Sequence, residues 1–599
     1  MISGYLGFKF DGHDTAAFLI LPHCSEVYGL ATERLTRIKH DRLFPVHTIL
    51  RVCNDAGQSL SQVQRLICAN SFSSHRYRHY PLNKYELDLA ARGLSWTTVG
   101  TGGASRADSE QPLTHVDENL HETIKRYLSL VLHHSQLSIQ HFDHEYCHAL
   151  SSYHLSPFDD ALVMTMDGSG DGGVFSRVFL GKEGRIREIA FSGSSERISC
   201  SGPHGPFSKP CSLGGLYSYF TYLLGFEPNS EEGKVEALAA WGQRIPWLYK
   251  ALSSAVRING KTHSIELDGG RLSHAFLKYE RLRPSEAERV DIAATAQLFT
   301  EDILTTYLKH MLTISGSHAL CLSGGVFANV LVNMKLASLV ENRLYIAPAM
   351  GDDGSAQGAA IAGMVADDIA PSDMAWLRAR VMPYFGTYYD RSQVDEALER
   401  FSAEVIVAET NESFSADVAR RIEAGEIGAL FQGRSEFGPR ALGNRSILAS
   451  PKRHQSKDRI NLQIKRRPPF QPVCPSVLDD EMSRLFESSY ANKHMTCAFM
   501  MKLEYRTALP SAIHIDGTAR AQCVSNEDNP LLYSILSHLK TCSGFGVVLN
   551  TSFNLHGRAM VESPNDAFRD FLDSGMDFLA IEGLVVTPRK KHTQYNLPR

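Results

Sequence analysis

Residues 141–154 read HFDHEYCHALSSYH, and within them His144-Glu145-x-x-His148 is followed by His154. His144 and His148 are one helical turn apart, so a helix presents both imidazoles on one face. Two imidazoles joined by carboxylates from elsewhere suit a divalent transition metal, Fe(II) among them. The plain alternative is a polar helix face carrying solvated histidines. The spacing is also that of H-E-x-x-H-x-x-G-x-x-H zinc proteases, but Ser151 stands where that pattern has a glycine. A serine resists the left-handed backbone that would swing the third histidine onto a metal. No Met-turn follows, so the protease reading is set aside and His154 is not taken as a ligand.

Further positions of chemical interest are turns. Asp11-Gly12-His13-Asp14, Asp167-Gly168-Ser169-Gly170-Asp171, Ser323-Gly324-Gly325 and Gly351-Asp352-Asp353-Gly354 occur in that order. Such turns expose backbone N–H groups to phosphate and carboxylates to a cation. A single Asp-Gly turn is also the commonest hairpin connection. The ordered set resembles the actin/Hsp70/sugar-kinase superfamily, in which two related halves clamp a nucleotide. Downstream lies a basic cluster of Arg434, Arg440, Arg445, Lys465, Arg466, Arg467 and Arg520. Arginine offers planar bidentate donors to phosphate and lysine a point charge. Charge runs are usually solvated faces, yet Gly433, Gly438, Pro439 and Gly443 between these arginines suggest a backbone shaped around a ligand. Ser552 and Asn554 in VVLNTSFN close a buried strand with a hydroxyl/amide turn that binds phosphate or simply caps itself.

These residues need elements to hold them. Up to about residue 380 the chain alternates apolar runs, Gly/Asp turns and helical segments, an α/β pattern. GYLGFKF-DGHD-TAAFLIL and DDALVMTM-DGSGDGG-VFSRVFL read as hairpins; HALCLSGGVFANVLVNMKLASLV and LYIAPAMGDDGSAQGAAIAGMVA read as strand, turn, helix. No internal repeat is visible. The texture changes around 370–395, which places two domains at 1–380 and 381–599. The chain has 599 residues, 43% hydrophobic and 21% charged, with a formal charge of −5. That near-neutrality gives no support to a nucleic-acid or membrane-surface binder. The N-terminus lacks a signal-peptide pattern and no apolar run is long enough to span a bilayer. Eleven scattered cysteines without C-x-x-C fit reduced thiols, and the expected location is cytoplasmic.

Together GHDTAAFL, HEYCHALSSYHLSPFDDALVMTMDGSGD, EEGKVEALAAWG, LSGGVFANVLVNMKL, GDDGSAQGAA, GRSEFGPRALGNRSILASP, INLQIKRRPPFQPVCPSV, DGTARAQCV and LNTSFNLHGRAMVESPNDAF resemble the carbamoyltransferases of antibiotic and nodulation-factor biosynthesis. The resemblance implies an α/β protein with an N-terminal actin-like (ASKHA, threonylcarbamoyl-transferase-like) fold and a C-terminal YrdC-like domain. It implies that carbamoyl phosphate and ATP give carbamoyladenylate in the C-terminal domain. The carbamoyl group then passes to a hydroxyl of a small-molecule natural product in the N-terminal domain. Carried over by position, His144, His148, Asp167 and Asp352 would bind Fe(II) or another divalent transition metal. Arg440, Lys465, Arg520, Ser552 and Asn554 would bind carbamoyl phosphate and ATP, with Gly324, Gly325 and Asn329 as further nucleotide contacts; Mg²⁺ is expected with ATP. One departure stands out: where such chains carry a second phosphate-facing arginine, this one has Gln471, which can donate but brings no charge.

An alcohol is barely nucleophilic at neutral pH, so the acceptor needs an activated donor and a base. His13 is the candidate base, because an imidazole titrates near working pH. Lys234 in EEGKVEAL is either a ligand contact or a helix-start lysine. Expected partners are carbamoyl phosphate, ATP and a small hydroxyl acceptor, with no nucleic acid and no membrane; a homodimer is left open. The alternatives are carbamoyl or threonylcarbamoyl transfer to tRNA or a maturation protein, and a non-catalytic actin-like nucleotide binder.

Overall fold

The protein is described here by a computed structural model covering residues 4–10, 13–59, 63, 65–69, 138–202, 205–281 and 284–589. Asp11 and Gly12 of the first predicted turn lie outside these residues.

The first half holds two five-stranded sheets of one topology. In the first, β1 (Tyr5–Lys9), β2 (Ala16–Leu21) and β3 (Glu26–Ala31) form an antiparallel meander. β4 (Arg65–Cys68) and β5 (Ser138–His141) then add parallel strands on the other side of β1, giving the order β3-β2-β1-β4-β5. The second sheet repeats this with β6 (Ala161–Met166), β7 (Val174–Lys182), β8 (Arg185–Gly193), β9 (Leu320–Ser323) and β10 (Leu344–Ile346). A meander followed by two parallel crossovers, built twice, is the actin-like duplication. Both predicted hairpins are present, as are the two predicted strand–turn–helix units. The repeat that the sequence does not display is therefore structural: the halves share strand order rather than residues.

Two helices fill the space between the sheets. α1 (His144–His154) packs on β6, β7 and β9, and α4 (Asp352–Ala366) packs on β1 and β2. Numbered in chain order between them are α2 (Glu232–Ala239) and α3 (Val330–Ala337). α1 and α4 lie against each other at Gly358, where an added Cβ would stand 1.8 Å from the Cys147 carbonyl oxygen. β1 approaches α4 equally closely at Gly7. The run of small residues in α4 is thus what lets sheet, helix, helix and sheet stack tightly.

The second half carries an eight-stranded mixed sheet that begins with Val405–Val407 and ends with Leu584–Pro588. Its central strands include Gly428–Phe431, Arg445–Ala449 and Val547–Ser552, almost wholly buried. Helices Phe414–Glu423 and Pro530–Ser543 cover one face of this sheet. The halves are sewn together by polar contacts. Arg34 donates to the Gly438 carbonyl at 2.7 Å, Arg37 pairs with Asp570 at 2.5 Å, and Asn333 donates to the Thr496 carbonyl at 2.7 Å. No helix among the described residues is long and apolar enough to cross a membrane.

Candidate functional site

The Asp143 carboxylate accepts from the Tyr146 backbone N–H at 2.9 Å and so starts α1 at His144. Arg177 of β7 grips the same carboxylate with Nε at 3.0 Å and Nη2 at 3.1 Å, fixing the rotation of the helix. His144 and His148 then face inward. Asp167 stands just past the end of β6, and Asp352 opens α4. His144 Nε2 lies 3.6 Å from Asp167 Oδ2 and 3.5 Å from Asp352 Oδ1; His148 Nε2 lies 3.6 Å and 3.9 Å from the same atoms. One ligand atom from each of the four falls within 4.8 Å of the others. The Asp167 Oδ2 atom is buried and makes no well-formed hydrogen bond among the described residues. Two imidazoles, two carboxylates and an orphaned buried oxygen fit a divalent transition metal. His148 Nδ1 is 3.0 Å from Ser323 Oγ, a contact that orients the ring and leaves Nε2 for the cluster.

The glutamate of the opening motif lies next to the four-residue group without joining it, with both carboxylate oxygens buried and making no well-formed hydrogen bond among the described residues, and the third histidine is apart. Glu145 is buried, burial lifts its carboxyl to about 7, and it is not part of the four-residue group. His154 is buried against Tyr153, and burial lowers its imidazole to about 4. Gly324 adopts φ +104°, and a Cβ there would meet the Met166 carbonyl at 2.2 Å, so this turn is pressed against the base of the Asp167 turn. Gly325 lies beside the Asp167 carboxylate. Asn329 caps α3 by accepting from Val332 N at 3.0 Å and exchanges hydrogen bonds with Gln297 at 2.8 and 3.0 Å. Its amide is therefore committed within the protein.

His13 lies on the β1–β2 connection, the repeat's counterpart of the Asp167 turn. Its Nδ1 is 2.7 Å from Asp14 Oδ2, and His40 Nδ1 is 2.8 Å from Asp14 Oδ1. Burial depresses the His13 imidazole, but the hydrogen bond and charge of Asp14, with Asp352 and Asp167 behind it, outweigh that and raise it to about 9. Lys234 on α2 pairs with Glu231 and sits 5.4 Å from the Phe226 ring. Phe226 in turn meets Phe470 at 6.5 Å, which places Lys234 at the seam between the halves rather than in the histidine cluster.

The basic cluster divides in two. Arg445 is fully buried, stacks 3.6 Å from the Phe431 ring centroid and donates to the Gln432 carbonyl at 2.7 Å; Arg434 donates to the Val27, Phe385 and Gly386 carbonyls. These two are framework. Glu436 holds the loop between them, accepting from Leu442 N at 2.7 Å and Asn444 N at 2.9 Å. That loop presents Arg440, which burial beside Arg520 lowers to about 9. Lys465 follows a π-helical turn at Arg459–Ile464 and donates to Ser552 O at 2.6 Å, Ser552 Oγ at 3.0 Å, Asn554 Oδ1 at 2.5 Å and Asn554 O at 3.1 Å. Arg467 donates to Asn461 Oδ1 at 2.7 Å and is lowered to about 10 by burial next to Arg520. Arg466 is exposed. Arg440, Lys465, Arg467 and Arg520 all use neutral acceptors, and none of them forms a salt bridge among the described residues. Burial, with Arg467 and Lys39 nearby, holds the Lys465 ammonium well below the usual lysine range, and the buried Glu236 carboxylate acts on Arg440 and Arg520. A group of basic side chains free of direct ion pairs can receive a polyanion.

Two sequence profiles cover most of the chain. One described as "Carbamoyltransferase N-terminus" matches residues 5–361, and one described as "Carbamoyltransferase C-terminus" matches residues 419–588. The chain belongs to the carbamoyltransferase family. Among similar proteins, the uncharacterized protein MJ1058 of Methanocaldococcus jannaschii is 38% identical, covering 97% of this chain and 99% of its own. The nodulation protein NolNO of Sinorhizobium fredii is 28% identical, over 96% of this chain and 79% of its own. The nodulation protein NolO of Bradyrhizobium diazoefficiens is 31% identical, over 76% and 80%. Membership makes the protein a transferase acting on a carbamoyl group. Asp14, His40, Ser323 and Arg467 join the candidate site without having been assigned a role from the sequence. Asp14 and Ser323 stand in the ordered turns and Arg467 in the basic run, whereas His40 has no spacing relation to His13.

Proposed function

We propose that the protein activates carbamoyl phosphate with ATP to carbamoyladenylate in a YrdC-like domain at 381–599. The carbamoyl group is then transferred to the hydroxyl of a small natural product in the actin-like domain at 1–380. The observation that carries this reading is the set of four basic residues, Arg440, Lys465, Arg467 and Arg520, none of them in a salt bridge among the described residues, in a chain whose other half gathers two histidines and two aspartates beside a third histidine.

In the first step these cations neutralise charge on carbamoyl phosphate and on the triphosphate, so that positioning and electrostatics do most of the work. Mg²⁺ accompanies ATP. Ser552 and Asn554 hold the Lys465 ammonium, and Arg467 supplies the positive charge that Gln471 does not. In the second step His144, His148, Asp167 and Asp352 would hold Fe(II) or another divalent transition metal. When bound, that ion supplies Lewis acidity toward phosphate or carbonyl oxygen. His13 accepts the proton of the attacking hydroxyl, and the Gly324–Gly325 turn lines the approach to Asp167.

The test is incubation with carbamoyl phosphate, ATP and a panel of hydroxylated small molecules, read by mass spectrometry. A carbamoyl mass gain on one alcohol, dependent on both co-substrates, is expected. Carbamoylation of tRNA or of a protein instead would overturn the acceptor class.

A further inference from the structure

The Asp14 carboxylate touches two imidazoles at once, one oxygen to each Nδ1, at 2.7 and 2.8 Å. An ionised carboxylate has no proton to give, so in both contacts the ring nitrogen is the donor. This fixes the tautomer of the deprotonated His13 ring: Nδ1 carries the proton toward Asp14, and Nε2 presents the lone pair that a base requires. Asp14 adopts φ +59° and His40 φ +53°, conformations that side-chain-bearing residues take up only when their surroundings hold them there.

His40 ends a segment that belongs to both halves of the molecule. Its two ends are tied to the residue after Asp14, by Thr32 N to Thr15 O at 2.8 Å and Thr15 N to Asp41 O at 3.2 Å. Its middle is fastened to the C-terminal half. The buried Arg34 donates to the carbonyl of Gly438, in the loop that presents Arg440. Arg37 pairs with Asp570, Ile38 bridges to Arg558, and Ala559 N donates to Arg37 O at 3.1 Å. His40 N donates to Glu33 Oε2 at 3.0 Å, closing the segment on itself.

We propose that Asp14 and His40 are positioning residues for His13 in the transfer step, and that the 32–41 segment ties this arrangement to the C-terminal half. The proposal rests on the reading of His13 as the base. In that step the acceptor O–H bond breaks and its proton goes to His13 Nε2. The acceptor oxygen bonds to the carbamoyl carbon, and the bond from that carbon to the AMP oxygen breaks, releasing AMP. His40 touches none of these atoms. It holds the second oxygen of Asp14 and so stops the carboxylate from turning away from His13.

The experiment compares His40→Ala, His40→Asn and Asp14→Asn with the full-length wild type in two assays: carbamoyl-phosphate-dependent ATP/pyrophosphate exchange, and transfer to the acceptor found in the screen above. His40→Ala is expected to lower kcat for transfer about tenfold or more, short of the ~10²–10⁴-fold that loss of a general base costs, with KM for the acceptor and the exchange rate retained. His40→Asn, which keeps a donor to Asp14, should recover most of the loss. Should His40→Ala fail to fold, the near-isosteric Asp14→Asn carries the comparison through the same kcat loss. Unimpaired transfer in both His40→Ala and Asp14→Asn, or an Asn variant no better than Ala, overturns the proposal. So does a fall in bound metal in His40→Ala, which would make His13, Asp14 and His40 a metal site. Absence of exchange in the wild type is a separate failure, of the underlying two-step reading, and takes the proposal with it.

Discussion

At the scale of single residues, the four-ligand cluster makes the sharpest demands. His144→Ala, His148→Ala and Asp352→Ala should each abolish stoichiometric binding of a divalent transition metal, measured on purified protein by elemental analysis. Glu145→Gln should leave binding intact, because its carboxyl lies outside the four-residue group. Retained metal in Asp352→Ala would remove that residue from the site. If His13 is the base proposed above, it governs a pH dependence. Its imidazole is raised to about 9 and acts only when deprotonated, so the transfer rate should climb with pH toward that value and level off above it. A cation bound to Asp167 and Asp352 offsets part of their field, so metal-loaded protein should show this limb at lower pH. A flat profile between neutrality and pH 9 would deny His13 the role. His144 and His148 were legible because a helical turn separates them. Asp167 and Asp352 were legible only through the family's pattern, since strand and helix ends distant in sequence converge only once the sheets are stacked. His40 was not legible at all, because its meeting with Asp14 depends on how the 32–41 segment docks.

At the scale of elements, the contact between α1 and α4 sets the site. Gly358 faces the Cys147 carbonyl at a distance that no Cβ tolerates. Gly358→Ala should push the helices apart, cost ~1–3 kcal/mol of stability in thermal melts, and weaken metal binding by carrying Asp352 away from His144. An unchanged melt with unchanged metal content would show that this packing does not position the cluster. The hairpins and strand–turn–helix units of the first half follow from short apolar runs bounded by Asp-Gly and Gly-Gly. The π-helical turn that precedes Lys465 leaves no such trace, because its extra residue per turn is imposed by tertiary contacts.

At the scale of the whole molecule, the duplicated sheets bring two equivalent turns together, one with His13 and Asp14, the other with Asp167. Composition does not reveal this, since the two halves share strand order without sharing sequence. On the proposed two-step reading, the interface between N- and C-terminal halves couples the two reactions. Arg37→Ala removes the pairing with Asp570 and should raise the ratio of AMP formed to carbamoylated product, while adenylate formation persists. An unchanged ratio would mean that the 32–41 segment does not couple the halves. On the proposed reading, the C-terminal basic residues activate a carbamoyl group with ATP. Exchange of labelled pyrophosphate into ATP measures this directly. On this reading, exchange should require carbamoyl phosphate, be lost in Lys465→Ala and survive in His144→Ala. Exchange independent of carbamoyl phosphate, or unaffected by Lys465→Ala, would contradict it.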